Sequence, residues 1–145
     1  MKAIHHLAAG AGAAVCAGYF SGPSAGAWML AGSVLIDADH YAWYLWRFRD
    51  ASPRRMTRFF LCHQADDHYC LCLLHTLEMV ALYVVALGCS QGPLFWLSAG
   101  CLLHVLLDVA QGVADGGLLR RRWSVIGGIV HWARKTRRRG CSGAG

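Results

Sequence analysis

Apolar residues fall into four long runs, covering residues 3–20, 24–46, 69–88 and 94–111, separated by short turns and by basic stretches. Each run approaches the roughly 20 residues that a helix needs to cross a bilayer. The pattern therefore predicts an all-α, single-domain integral membrane bundle of four transmembrane helices. Residues 112–145 form a basic tail, in which the stretch from Trp123 to Trp132 is amphipathic and too short to span, as expected of a short helix lying at the interface. The first run is rich in Ala and Gly and follows Lys2, so a signal peptide is an alternative there. His5 and His6 stand where the apolar region of such a signal should begin, which argues for a span.

Composition points the same way. Of 145 residues, 56% are hydrophobic and only 15% charged, against roughly 25% charged in an ordinary soluble domain. Disorder and a highly charged soluble binder are both excluded by this balance. The 7 cysteines are odd in number and lack CxxC spacing, so a disulfide framework or zinc ribbon is not indicated, and most of them read as small apolar residues for the interior.

The basic residues test the topology independently. Lys2 precedes the first run, Arg47, Arg49, Arg54, Arg55 and Arg58 lie between the second and third, and the other eight follow the fourth. None of the 14 falls in the turns at Ser21–Pro23 or Cys89–Pro93. Lys and Arg stay on the cytoplasmic side, so both termini and the middle loop are expected in the cytoplasm. A soluble helical bundle, the alternative, has no reason to sort its charges this way. The tail also has the composition of a nucleic-acid arm, but no recognition fold is left in the remaining residues, and contact with anionic lipid headgroups explains the charge more simply.

The runs are interrupted by ionisable residues: His5 and His6 in the first, Asp37, Asp39 and His40 in the second, His75 and Glu78 in the third, His104 and Asp108 in the fourth. A carboxylate inside a bilayer costs several kcal/mol unless it is paired, metal-bound or hydrated, so such residues mark function. Residues three or four apart share a helix face. Asp37 with His40, His75 with Glu78 and His104 with Asp108 therefore each present a carboxylate and an imidazole on one side. At 1.5 Å per residue all lie about 4 to 14 Å inside the cytoplasmic end, which makes them a single layer.

Oxygen and imidazole donors from several helices are how bundles build metal sites, and they suit zinc, manganese or iron, with enough ligands for one or two ions. A metal-free proton-relay or ion-pair network is the alternative. On an ideal helix Asp37 and Asp39 cannot sit equally well in one site, so Asp39 is expected to bind a second ion or to orient a ligand His. A second polar group, His63, Asp66, Asp67 and His68 with Cys62, Cys70 and Cys72, lacks standard zinc spacing and reads as a solvated loop. His131, beside Trp132, reads as interfacial.

These motifs carry a resemblance. A His in an N-terminal apolar helix, then DADH (Asp37 to His40), HT (His75, Thr76) and HVLLD (His104 to Asp108) resemble the family of membrane-bound metal-dependent hydrolases, small bacterial inner-membrane proteins, over nearly the whole chain. The resemblance implies that His6 or His5, Asp37, Asp39, His40, His75, His104 and Asp108 are metal-site positions. The chain departs from the family's pattern in having Ile36 where Pro usually precedes the first Asp, in reading YCLCLLHT where a His-Arg-Gly element is usual, and in adding Glu78.

The expectation is a metal-dependent hydrolase of the inner membrane, acting near the cytoplasmic face on a lipid-like or phosphoester substrate. Glu78 would serve as a ligand or, with Asp39 as the other candidate, as general base. The rival class is a non-enzymatic membrane protein that carries or senses protons or metal ions through the same layer. A carrier should continue its polar residues outward, whereas the outer halves of the runs offer little beyond Ser33 and Ser98.

Overall fold

The computed structural model describes residues 3–62, 72–114 and 124, and among them the chain is all-helical with no strand. Six α-helices follow in order: α1 (Ala3–Ser21), α2 (Pro23–Leu35), α3 (Ala38–Phe48), α4 (Pro53–Cys62), α5 (Leu77–Cys89) and α6 (Pro93–Ala114), with a 3-10 turn (Leu73–His75) before α5. The interfacial helix expected around Trp123 to Trp132 lies outside the described residues, Ser124 excepted, as do His63, Asp66, Asp67, His68, Cys70 and His131.

Both tight connections between long helices use one device. Gly22 (φ 96°) and Gly92 (φ 68°) adopt the left-handed conformation, and Pro23 and Pro93 then open α2 and α6. Glycine enters that region without a Cβ clash, and proline at the first helical position gives up an N–H that the helix does not use. The turns send α1 and α2, and α5 and α6, back along each other. Helix α6 is central and packs on α1, α2 and α5.

Small residues let the backbones approach. A Cβ added at Gly26 would lie 2.6 Å from the Ala14 carbonyl oxygen, while one at Gly100 would collide with the Met29 carbonyl and one at Gly32 with the Leu97 carbonyl. Ala14, Ala17, Ala25 and Met29 fill this seam. A second apolar group, Ile36, Tyr83, Cys101 and Val105, sits beneath the opposite end of the helices. Large apolar side chains point outward instead, among them Leu7, Val15, Tyr19, Trp28, Leu82 and Leu106. Of the cysteines expected inside, Cys101 is buried, but Cys16 and Cys89 are exposed. Their helices turn an apolar face outward, so burial there does not follow from apolarity.

Two runs are organised differently from the continuous helices expected. Residues 24–46 break at Ile36 and Asp37, where the Asp37 N–H reaches the Val34 carbonyl three residues back (3.3 Å) and the His40 N–H reaches that of Asp37 (3.2 Å). Ile36, 1% exposed, anchors the break in the core. In residues 69–88 the helix begins only at Leu77, because Thr76 caps it by accepting a hydrogen bond from the Met79 N–H. Among the described residues one helix, α6, is long and apolar enough to cross a membrane; α5 is apolar but shorter, at 13 residues.

Candidate metal centre

The break between α2 and α3 brings DADH under the ends of the other helices. His6 comes from the first turns of α1, Asp37, Asp39 and His40 from the break and the start of α3, His75 from the 3-10 turn, and His104 and Asp108 from the second half of α6. Three sets of candidate ligand atoms lie within 4.8 Å of one another: His6, His104 and Asp108; Asp37, His40 and His75; and Asp39, His40 and Cys72. His5 is exposed while His6 is buried, so of the two N-terminal histidines it is His6 that joins the group.

The imidazoles form a continuous chain of rings. His6 stacks on His104 (centroids 4.7 Å apart), His104 meets His75 edge-on (5.5 Å), and His75 meets His40 edge-on (4.6 Å). The first two sets are joined through carboxylates: His104 Nε2 is 3.5 Å from Asp37 Oδ1, and His75 Nε2 is 3.6 Å from Asp37 Oδ1 and 3.8 Å from Asp108 Oδ2. His6 Nε2 lies 3.6 Å from Asp108 Oδ1, and His40 Nδ1 3.7 Å from Asp37 Oδ1.

Protonation of the rings follows from their outer contacts. His104 Nδ1 is 2.8 Å from the Ser33 carbonyl oxygen, which can only accept, so Nδ1–H donates and Nε2 turns a lone pair toward Asp37. That contact also satisfies a carbonyl in the last turn of α2, one of the groups a helix leaves without a partner. His75 Nδ1 is 3.3 Å from Asp39 Oδ2, and the neighbouring Leu74 N–H donates to the same oxygen at 2.9 Å. Tyr83 OH donates to the Leu74 carbonyl (3.2 Å), so the peptide carrying His75 is held from two sides.

The Nε2 atoms of His6, His75 and His104 thus face carboxylate oxygens at 3.5 to 3.8 Å. This is too far for a good hydrogen bond and close to the roughly 3.4 Å between ligand atoms around an ion with bonds of about 2.1 Å. Among the described residues the Nε2 atoms of His6 and His75 are buried and lack a hydrogen-bond partner. Three carboxylates crowded among four imidazoles also need positive charge to be tolerated. The donor set accordingly fits one or two divalent cations. Asp37 is half exposed, at 51% of its side chain, whereas His104 is 2% exposed, so the group opens on the Asp37 side.

Asp39 is 10% exposed and accepts from His40 Nδ1 (2.9 Å), His75 and Leu74. Both of the roles expected of it remain compatible with this position: it orients His75, and it belongs to the third ligand set with His40 and Cys72. Glu78 belongs to none of the three sets among the described residues. It occupies the first turn of α5, not the depth of about 13 Å that a helix running regularly from Tyr69 would give it, and it accepts a 2.6 Å hydrogen bond from Ser124 Oγ. The Ser33 carbonyl, the Leu74 N–H and Tyr83 were not foreseen. The first two are backbone groups, which any residue type supplies, and the third lies outside the ligand spacing.

No protein-family model, curated protein sequence or solved structure matches the chain.

Proposed function

We propose that this chain is a four-span, metal-dependent hydrolase of the cytoplasmic membrane, with its centre near the cytoplasmic face. The observation that carries the reading is the convergence of His6, Asp37, His40, His75, His104 and Asp108, donated by α1, the α2–α3 break, the start of α3, the 3-10 turn and α6, with imidazole nitrogens facing carboxylates. Zinc suits these donors, and manganese or iron would also be held. The membrane reading is supported by the exposed apolar side chains of α1, α2, α5 and α6, by interfaces made of Gly and Ala as in membrane helix pairs, and by the absence of basic residues from both Gly-Pro turns.

The two ligand sets His6, His104, Asp108 and Asp37, His40, His75 would hold the metal, with Asp39 fixing the ring of His75. A bound divalent ion supplies Lewis acidity, polarising the scissile bond and making water nucleophilic near neutral pH. The half-exposed Asp37 marks the side from which a phosphoester or lipid-like substrate enters. Glu78, outside the ligand sets, or Asp39 would be the general base, taking a proton from water and returning it to the leaving group. The apolar seam of Ala14, Ala17, Ala25 and Met29 closes the interior beyond the site, which argues against the rival reading of a path for ions or protons.

Metal content and phosphodiester turnover of the purified full chain test this proposal together. His104→Ala should remove most bound metal and leave membrane insertion intact, while Glu78→Gln should keep the metal and abolish turnover. Wild-type protein that is metal-free when purified without chelator would overturn the reading and favour an ion-pair network.

A further inference from the structure

Helices α3 and α4 pack on each other and make few contacts with the other helices among the described residues. An aromatic seam joins them: Phe59 meets Trp43, Tyr44 and Phe48 at centroid distances of 6.1, 5.8 and 4.9 Å. Phe60 meets Trp43 at 6.1 Å and lies edge-on to the ring of His40 at 5.2 Å. The hairpin is therefore attached to the candidate metal centre through one of its ligands.

Its connection is tightly bonded. Arg49 takes a left-handed conformation (φ 54°) to end α3. Asp50 accepts from the Ser52 N–H (3.0 Å), from Tyr44 OH (3.2 Å) and from Arg55 (3.3 Å), and Tyr41 OH donates to the Ala51 carbonyl (2.8 Å). Ser52 Oγ then accepts from the Arg55 N–H at the start of α4 (3.4 Å). With the seam on one side, successive positions of α4 at 100° per residue put Arg54 and Arg58 together on the opposite side, with Arg55 at its flank next to Phe59, and all three are exposed. Arg47 and Arg49 are exposed as well, and residues 47–58 contain five arginines against one aspartate.

A rigid amphipathic hairpin with aromatic residues inside and guanidinium groups outside complements a surface of phosphate anions. We propose that the α3–α4 hairpin is a docking surface for the headgroups of anionic phospholipids, held beside the metal centre by Phe60 against His40. The occupant is the lipid surface rather than a soluble anion, because apolar side chains exposed on α3, such as Leu45 and Trp46, stand next to Arg47 and Arg49 along the chain and match the acyl side of a headgroup region. This rests on the membrane-spanning reading above and not on the hydrolytic one.

Native mass spectrometry of the full chain in detergent, with phosphatidylglycerol and phosphatidylcholine offered in equal amounts, tests the proposal. The wild type should retain phosphatidylglycerol preferentially. Arg54→Gln/Arg58→Gln, which leaves the Arg55 to Asp50 pair intact, should weaken that retention by about tenfold or more, and Arg54→Lys/Arg58→Lys should keep much of it. Neutralising Arg137, Arg138 and Arg139 to Gln should have the smaller effect. Equal retention of the two lipids by the wild type, or a preference unchanged in the Gln variant, overturns the proposal. Metal content measured on the same samples separates the two claims, because its loss with lipid preference kept would remove the metal reading alone.

Discussion

The two ends of the α1–α2–α6 packing are built by opposite means. Near the Gly-Pro turns Gly18, Gly26 and Gly100 bring backbone against backbone, with Ala14, Ala17 and Ala25 filling what remains. At the other end the same helices carry imidazoles and carboxylates, and α2 stops so that its continuation can turn toward them. The first end has no room to spare, so its stability depends on shape. The second is held by directed contacts such as His104 to the Ser33 carbonyl, and its crowded carboxylates need positive charge beside them. Close packing at one end thus supplies the rigidity that a charged site at the other requires.

Gly100→Val breaks the contrast most severely. Its side chain would enter the Met29 carbonyl and the Ser33 N–H, and overpacking of this kind costs on the order of 3 kcal/mol. Thermal unfolding in detergent should show a large fall in Tm, whereas Gly88→Ala, where an added Cβ meets open space, should leave Tm almost unchanged. Equal Tm values for the two variants would show that the seam is not tightly packed.

The charged end should respond in the other currency, metal affinity. Asp39→Asn removes the carboxylate that accepts from His75 and His40 but preserves shape, so it should weaken metal binding by about 10 to 100-fold with little change in Tm. A competition titration against a chelator reads the difference. No loss of affinity would leave Asp39 as a solvating neighbour only.

The smallest effect is expected in the α3–α4 connection, which belongs to neither end. The Ser52 N–H, helped by Tyr44 and Arg55, holds the Asp50 carboxyl below the ordinary carboxylate range. A group whose pKa is lower folded than unfolded stabilises above its unfolded pKa and loses that contribution as pH falls through the folded value. The Ser52 amide resonance should therefore shift at a pH below the ordinary Asp midpoint, and Asp50→Asn should abolish the shift without altering metal content. A midpoint at the ordinary value would mean that the loop is not bonded in this way.

Much of the site was legible in the sequence because ligand chemistry depends on residue type. Asp, His and helical spacing are visible in DADH and HVLLD, and their shared depth follows from counting along runs that alternate in direction. Spacing within one helix does not reveal a break in it. The expectation that Asp37 and Asp39 could not serve one site equally assumed a regular helix; the chain turns at Ile36 instead, and the two acids fall in different ligand sets, Asp37 with His40 and His75 and Asp39 with His40 and Cys72. Glu78 was placed deep by the same assumption, and the Thr76 cap moved it to a helix start.

By itself the sequence determined that the chain is helical, where its tight turns fall, and which side chains are able to bind a metal, since these follow from hydrophobic runs, from Gly-Pro pairs and from donor atoms. Only the tertiary structure decided that His6 rather than His5 joins the cluster, that the Ser33 carbonyl sets the tautomer of His104, and that Phe60 reaches His40. The reason is that periodicity describes one helix at a time, whereas contacts between helices depend on how closely their backbones approach and where one of them bends.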